Sequence, residues 1–426
     1  MRVSSGPAGQ YGVVKDRSGI FLPLNAWSDA THMVFKNGTA KTGFGIKNLL
    51  TAQNIYLRGL FYVVNIGTKK GYLLMMTETK AWAYLDSTLG IQDVTRLSGN
   101  YVNGENWTGL DFNQTFVVAN INNPPQVWTP ISDTTRLPSG DSTGIIRAFK
   151  NYMLAVGYKS GGVENRRLVR WSHPADPGAL PSSWDIADPT KDAGEIEVSS
   201  GYGPLVESVP MGEMNVLYTT DSVIGMTLSG DSSIFSFREL FSTFGASGIS
   251  SVVPFRQREG GPLMHCVVTT DDIVVHDGRE ARSLLAGRLR ETFYSYVFSS
   301  FFDLFGRVVA VNYQPLSLII FAIYSPHSWG DITRVLTWNW ESDTWSTAFS
   351  IDSAPTLFED SKFVAPGADI WGLYDPRDAG TAIFGKSGTD SQILAAVLSP
   401  TDATGSIRPA LSRYDIAIAG VDGAGN

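Results

Sequence analysis

The sequence predicts an all-β fold, a β-propeller of small sheets set around an axis, on three observations. A strand–turn–strand phrase recurs as YLLMMTETKAWAYLD (72–86), FVVANINNPPQVWTP (116–130), VLYTTDSVIGMTLSG (216–230), CVVTTDDIVVHDG (266–278) and RVLTWNWESDTWS (334–346), with a longer-looped copy from Met153 to Pro174. Anchored at Tyr84, Trp128, Trp171, Ile224, Val274 and Trp338, the copies fall about 40 to 65 residues apart, which is the spacing of propeller blades with variable outer loops. Composition agrees: 43 glycines, 12% aromatic and only 17% charged residues suit short strands joined by many turns, and exclude a disordered or coiled-coil chain. A chain of 426 residues exceeds one ordinary core, so it is either several domains or one repeat architecture, and the repeats favour the second.

Residues 1–50 do not read as a blade. They form an N-terminal arm in which Asn37-Gly38 makes a tight hairpin turn between VFK and TAK, because both residues tolerate positive φ. Residues 51–398 form the propeller. Six blades plus a closing strand is the expected count, with five or seven fitting the spacing nearly as well, and 369–385 adds a candidate hairpin near the end. Between paired strands lie Thr-Lys-Lys-Gly (68–71), Asn-Pro-Pro (123–125), Lys-Ser-Gly-Gly (159–162), Asp-Asp (271–272) and Glu-Ser-Asp (341–343), residues that accept turn geometry or satisfy their own backbone. A helical insertion is expected over about 279–298, where Leu284, Leu285, Leu289, Phe293 and Val297 recur at helix-like spacing and Arg282, Arg288 and Arg290 take the other face. Gly287 weakens that helix by about 1 kcal/mol. The apolar stretch from Tyr294 to Tyr324 is interrupted by Asp303, Arg307, Asn312, Gln314 and Pro315, so it reads as a short helix and a buried hairpin, not a membrane span. Residues 399–426, small and Gly-rich, read as an exposed tail.

Chemistry is sparse. The net charge of −8 argues against a broad nucleic-acid-gripping surface, which needs clustered Lys and Arg. The single Cys266, in an apolar strand, reads as a buried structural thiol, and the N-terminus lacks the apolar core of a signal peptide. The histidines at 32, 173, 265, 276 and 327 show no metal-site spacing, although His265 and His276 flank one hairpin. No nucleophile elbow, P-loop or dinucleotide fingerprint occurs, so no catalytic residue, metal or cofactor is expected. A glycan-binding or glycan-cleaving propeller is the alternative function. Its support is Trp171, the loop residue Trp184, and the carboxylates Glu195, Glu197, Glu207, Glu213 and Asp369. Hairpin-closing tryptophans (Trp128, Trp171, Trp338 and Trp345) are expected to pack blade against blade instead.

One segment narrows the reading. PLNAWSDATHMVFKNGTAKTGFG (23–45) resembles the opening of the tail nozzle proteins of short-tailed bacteriophages, also called tail tubular protein B, through Pro23, Ala26, Trp27, Ser28, Asp29, Val34, Phe35, Asn37, Gly38 and Gly43. Met33-Val34-Phe35 departs from the usual Asn-Val-Arg-Phe type of phrase. NRRLVRWSHPADPGALPSSWD (165–185) and VLTWNWESDTWS (335–346) fit the same group. The resemblance implies a structural, non-enzymatic protein of the virion tail, assembled in the host cytoplasm as a homohexameric ring. That ring would sit below a tail adaptor, support fibres or spikes, and let viral DNA pass without specific binding. Under that reading Trp27, Asp29, Phe35, Asn37, Gly38, Arg282, Arg288 and Arg290 are the candidate inter-subunit contacts.

Overall fold

The computed structural model describes residues 9–412 apart from 19–20, 24, 32, 43–44, 54–56, 66–69, 86–89, 105–106, 113–114, 129–136, 139, 231–232, 259, 298–307, 325–331, 351–361, 365–381, 388–390, 398–400, 403–404 and 407–409. The fold is the expected β-propeller. Blade 1 comprises Leu57–Asn65, Lys70–Thr77, Ala81–Leu85 and Ile91–Asp93; blade 2 has Thr108–Phe112, Thr115–Asn120 and Asn123–Trp128. Blade 3 is Ser142–Phe149, Tyr152–Ser160, Val163–Trp171 and Gly194–Glu197; blade 4 is Leu205–Met211, Met214–Thr219, Val223–Leu228 and Phe235–Phe241. Blade 5 is Val252–Arg256, Leu263–Val268, Ile273–His276 and Ala281–Ser283; blade 6 is Val308–Tyr313, Leu318–Tyr324, Ile332–Asn339 and Thr344–Ser350. Each blade is an antiparallel meander, and the first strands of blades 1 to 6 neighbour one another in sequence order, which makes them the inner ring.

The described residues contain a seventh blade, one more than the favoured count. Lys362–Val364, Ala382–Ser387 and Ser391–Val397 pair in order, and Gly45–Gln53 from the N-terminal side supplies the fourth strand. The closing strand was therefore expected, but it completes a sheet of its own. Blade 7 lies against Leu57–Asn65 of blade 1, and joining the two ends of the chain in one sheet removes the open edge that a linear array would leave. The arm boundary at residue 50 is corrected accordingly, since 45–50 belong to the propeller.

Three further expectations are corrected. The phrase at 334–346 spans the third and fourth strands of blade 6, whereas the other copies are second and third strands. The helix is shorter than 279–298: helix α1 covers Arg290–Val297 only. Ala281–Ser283 is taken by pairing with Val274–His276, and Gly287 turns at φ +66°, which a helix does not allow. The apolar spacing nonetheless reports burial, because Leu284, Leu285, Leu289 and Phe293 all enter the core between blades 5 and 6. Within 399–426, Ala410–Ser412 pairs antiparallel with Asp29–Thr31, so this part of the predicted tail is sheet. Val308–Tyr313 and Leu318–Tyr324 form the buried hairpin expected there, and no helix among the described residues is long and apolar enough to cross a membrane.

Blade-to-blade packing is aromatic at Trp171 and Trp338, as expected of these hairpin-closing positions, whereas Trp345 stacks on Phe321 of its own blade at 5.5 Å. Trp171 meets Phe235 of blade 4 edge-on at 5.3 Å, Trp338 meets Phe255 of blade 5 edge-on at 5.6 Å, and Phe61 lies 5.6 Å from Phe116 of blade 2. Polar groups join the inner strands as well. Arg147 on blade 3 is held bidentate by Glu207 on blade 4 at 2.9 Å through both nitrogens, and its Nη1 donates to Gly109 O of blade 2 at 3.4 Å. Ser250 N donates to Glu207 at 3.3 Å, and Ala310 N of blade 6 donates to Ser250 O at 2.9 Å. This girdle connects blades 2, 3 and 4 to blade 6 by way of Ser250, in the link that leads into blade 5, through groups that would be costly to bury unpaired.

Candidate functional site

Three of the eight contact candidates, Phe35, Arg282 and Arg288, meet at one turn, Glu341-Ser342-Asp343 of blade 6. The arm reaches it by pairing in parallel with the outer strand of that blade: Gly12 opposes Trp345, and Thr31 opposes Thr347. Gly12 is required there, because a side chain would meet the Trp345 backbone oxygen at 2.7 Å and φ is +65°. The hairpin Met33–Lys36/Thr39–Thr42 turns at Asn37 (φ +53°) and Gly38 (φ +72°), the positive-φ pair its sequence predicts. Phe35 is 1% exposed in the core of blades 5 and 6, and its carbonyl accepts from Ser342 Oγ and Thr344 Oγ1, both at 3.0 Å. Lys36 Nζ reaches Glu341 at 2.9 Å.

Asp343 is the hub, although in the sequence it stands only as the last residue of the Glu-Ser-Asp turn. It sits at φ +52° and accepts from Trp338 Nε1 at 2.9 Å, Arg288 Nη2 at 2.9 Å and Arg282 Nη1 at 3.4 Å. Burial alone would raise its carboxyl, but the hydrogen bonds from Arg288 and Trp338 and the charges of Arg288 and Arg282 hold it below the ordinary carboxylate value. The signal in the sequence is an Asp at the last position of a Glu-Ser-Asp turn, since Asp tolerates the αL region better than most side chains.

The arm also ends helix α1. Asp16 accepts from Glu291 N at 2.8 Å, Thr292 N at 3.2 Å and Thr292 Oγ1 at 2.9 Å, supplying from elsewhere in the chain the cap that the first turn lacks. Lys15 N and Asp16 N donate to Arg288 O, and Arg17 Nε donates to Gly287 O at 3.1 Å. Arg290, the eighth candidate, pairs with Asp272 of blade 5. Asp29 pairs with Lys15 at 3.1 Å, and Trp27 packs half-buried on the same core. The charged candidates are therefore answered inside the chain, by Lys15, Asp272 and Asp343. Asn37 at the hairpin tip, Arg282 and Arg290 remain exposed, as do the arm aromatics Tyr11 and Phe21.

The residues that supported glycan chemistry are occupied otherwise. Trp184 is 1% exposed in the core between blades 2 and 3, and Trp171 donates Nε1 to Asp192 O at 2.9 Å while packing on Phe235. Glu195 lies 3.9 Å from Arg170, Glu197 pairs with Arg167, Glu207 belongs to the girdle, and Glu213 pairs with Lys150 at the surface. Asp369 lies outside the described residues, as do His32 and His327. Cys266 is buried, and burial raises its thiol well above the ordinary value, as expected of a structural cysteine. No group of three metal-ligating side chains occurs among the described residues.

One local device recurs that the sequence reading did not single out. Thr77 and Thr219 end the second strands of blades 1 and 4, and Thr269 directly follows that of blade 5. Each Oγ1 accepts from the amides two and three residues on, at 2.8 to 3.3 Å, and donates to the carbonyl three residues on, at 2.9 to 3.1 Å. Asn120 does comparable work in blade 2, where Oδ1 accepts from Asn122 N at 2.9 Å.

No family model and no curated protein matches the chain. Among solved structures it is similar to the Swd1 β-propeller domain of Myceliophteria thermophila (7% identity, TM-score 0.45, 82% of this chain and 99% of that one). It is also similar to YCF48 of Cyanidioschyzon merolae (10%, 0.40, 83% and 99%), and to the extracellular domain of a one-component system from B. thetaiotaomicron (7%, 0.43, 82% and 40%). At these identities the likeness is one of fold.

Proposed function

We propose that this chain is a structural subunit of a short bacteriophage tail, the nozzle. In this reading it forms a homohexameric ring that continues the DNA-ejection channel below an adaptor ring and supports fibre or spike proteins. The observation that carries the reading is the phrase from Pro23 to Gly43 and its resemblance to nozzle openings. Physical chemistry makes the role coherent. A conduit for a polyanion should not grip it, and a chain of net charge −8 has little tendency to do so. A closed propeller also limits edge-to-edge pairing at high local copy number. The glycan reading loses its aromatic platforms to the core, and no observation favours it.

The test is assembly. Negative-stain microscopy and light scattering of purified protein, alone and mixed with a tail adaptor ring, should show rings or a joint complex, and a reducing-sugar assay should show no glycan release. A stable monomer that ignores the adaptor under all conditions would overturn the nozzle reading. Deleting the hairpin or helix α1 would test folding instead, because Phe35 and Phe293 are core residues. Changes at the exposed Asn37, Tyr11 and Phe21 separate assembly from folding.

A further inference from the structure

Blades 4 and 5 meet across a buried hydrogen-bond relay whose every proton can be placed. Tyr218 Oη on blade 4 lies 2.7 Å from His265 Nδ1 and 2.7 Å from His276 Nε2, and the two histidines oppose each other in the pairing of blade 5. Gly278 N points at His276 Nδ1 at 3.1 Å. A backbone N–H only donates, so Nδ1 is bare and Nε2 carries the proton, which goes to the tyrosine oxygen. The tyrosine O–H then donates to His265 Nδ1, and His265 Nε2–H donates to Pro210 O of blade 4 at 3.1 Å. All three side chains are buried, and both imidazoles are neutral in this arrangement.

We propose that the Tyr218–His265–His276 relay is an acid-released latch that holds blade 5 to blade 4 at neutral pH and lets this seam open reversibly on acidification. A proton added to His276 Nδ1 would face the Gly278 N–H, and one added to His265 Nδ1 would face the tyrosine hydroxyl hydrogen. Neither has an acceptor to turn to. The surroundings offer little compensation. On blade 4, Glu207 is committed to Arg147, and on blade 5 the Cys266 thiol is neutral. Asp277 spends its carboxylate on the amides of Arg279 and Glu280, and Arg282 on the outer strand is held by Asp343. Phe241 and Phe244 cover His276 with ring centroids 5.2 and 5.9 Å away. Burial accordingly depresses both histidines, His265 to about 3 and His276 to about 4, with their mutual proximity adding to the first and Asp277 opposing the second.

The sign follows by linkage. An open seam lets each imidazole titrate near its ordinary value of about 6.5, so the open form binds more protons between there and the depressed values. The latch is complete above about pH 6.5, and the opening equilibrium rises by about tenfold per exposed imidazole for each pH unit below it.

Amide hydrogen exchange of the full chain tests this. The readout is exchange in 205–219 and 263–276 divided by exchange in 108–120 of blade 2, a ratio that removes the intrinsic pH dependence of the chemistry. The ratio should rise at least tenfold between pH 7 and pH 4.5 and recover on neutralisation, and Tyr218→Phe should show a raised ratio already at pH 7. A ratio that stays flat, whether the protein remains closed or unfolds as a whole, overturns the latch. So does a folded Tyr218→Phe protein indistinguishable from the parent. Should that variant not fold, imidazole nitrogen NMR of the parent decides: both rings must be neutral Nε2–H tautomers at pH 6, and a charged ring there refutes the proposal.

Discussion

Removing one member of the Arg147–Glu207 pair should cost far more than removing both. The two side chains are 4% and 2% exposed and joined by two hydrogen bonds of 2.9 Å. In Arg147→Met the carboxylate stays buried with only Ser208 N (2.8 Å) and Ser250 N (3.3 Å) for partners. In Glu207→Leu the guanidinium loses its bidentate partner and keeps, among others, its bonds to Ile146 O at 2.8 Å and Gly109 O at 3.4 Å. Each single change breaks a buried, bidentate charge pair from one side, for which a loss of about 3–5 kcal/mol is expected. The double variant buries apolar groups of similar volume and removes both charges, so its loss should be smaller than either single loss. The coupling energy between the positions should therefore exceed about 3 kcal/mol. Urea unfolding of the four proteins, read by tryptophan fluorescence, closes the cycle. Additive losses, with coupling below about 0.5 kcal/mol, would refute the claim that the girdle acts as a charge pair linking blades 3 and 4.

Asp343→Asn should destabilise the junction by about 1–3 kcal/mol, as charge-assisted hydrogen bonds from Arg288 and Arg282 are lost. Because the folded carboxyl is held low, this contribution is complete above the unfolded value of about 4 and disappears as pH falls through the folded value, so the difference in melting temperature should close below about pH 4. Phe35→Ala should cost about 3–5 kcal/mol and undock the arm hairpin, measured as faster tryptic cleavage after Lys36 and Lys41. Thr77→Ala, Thr219→Ala and Thr269→Ala should each cost about 1 kcal/mol, and Thr77→Ala combined with Thr269→Ala should add, since the two turns lie in separate blades. Thermal melts of the singles and that double check it.

The sequence by itself determined the architecture and many of its seams. Strand pairs separated by turn residues repeat because each blade must bury two faces against its neighbours, so the pattern is written locally, and Trp171 and Trp338 pack where their spacing placed them. The Asn37-Gly38 turn was legible for the same reason, as its backbone geometry is set by two adjacent residues. What only the tertiary structure decided is long-range. Gly45–Gln53 closes blade 7 nearly 350 residues from its partner Ser391–Val397. Asp16 caps a helix that begins at Arg290, and helical spacing in 279–289 turned out to mark burial of Leu284, Leu285 and Leu289 beside a strand. The candidate contact residues were chosen for a partner outside the chain, yet most of their charges meet Asp343 and Asp272 within it. Periodicity records which face of a segment is buried; it carries no record of what that face is buried against, and that choice belongs to the closed ring.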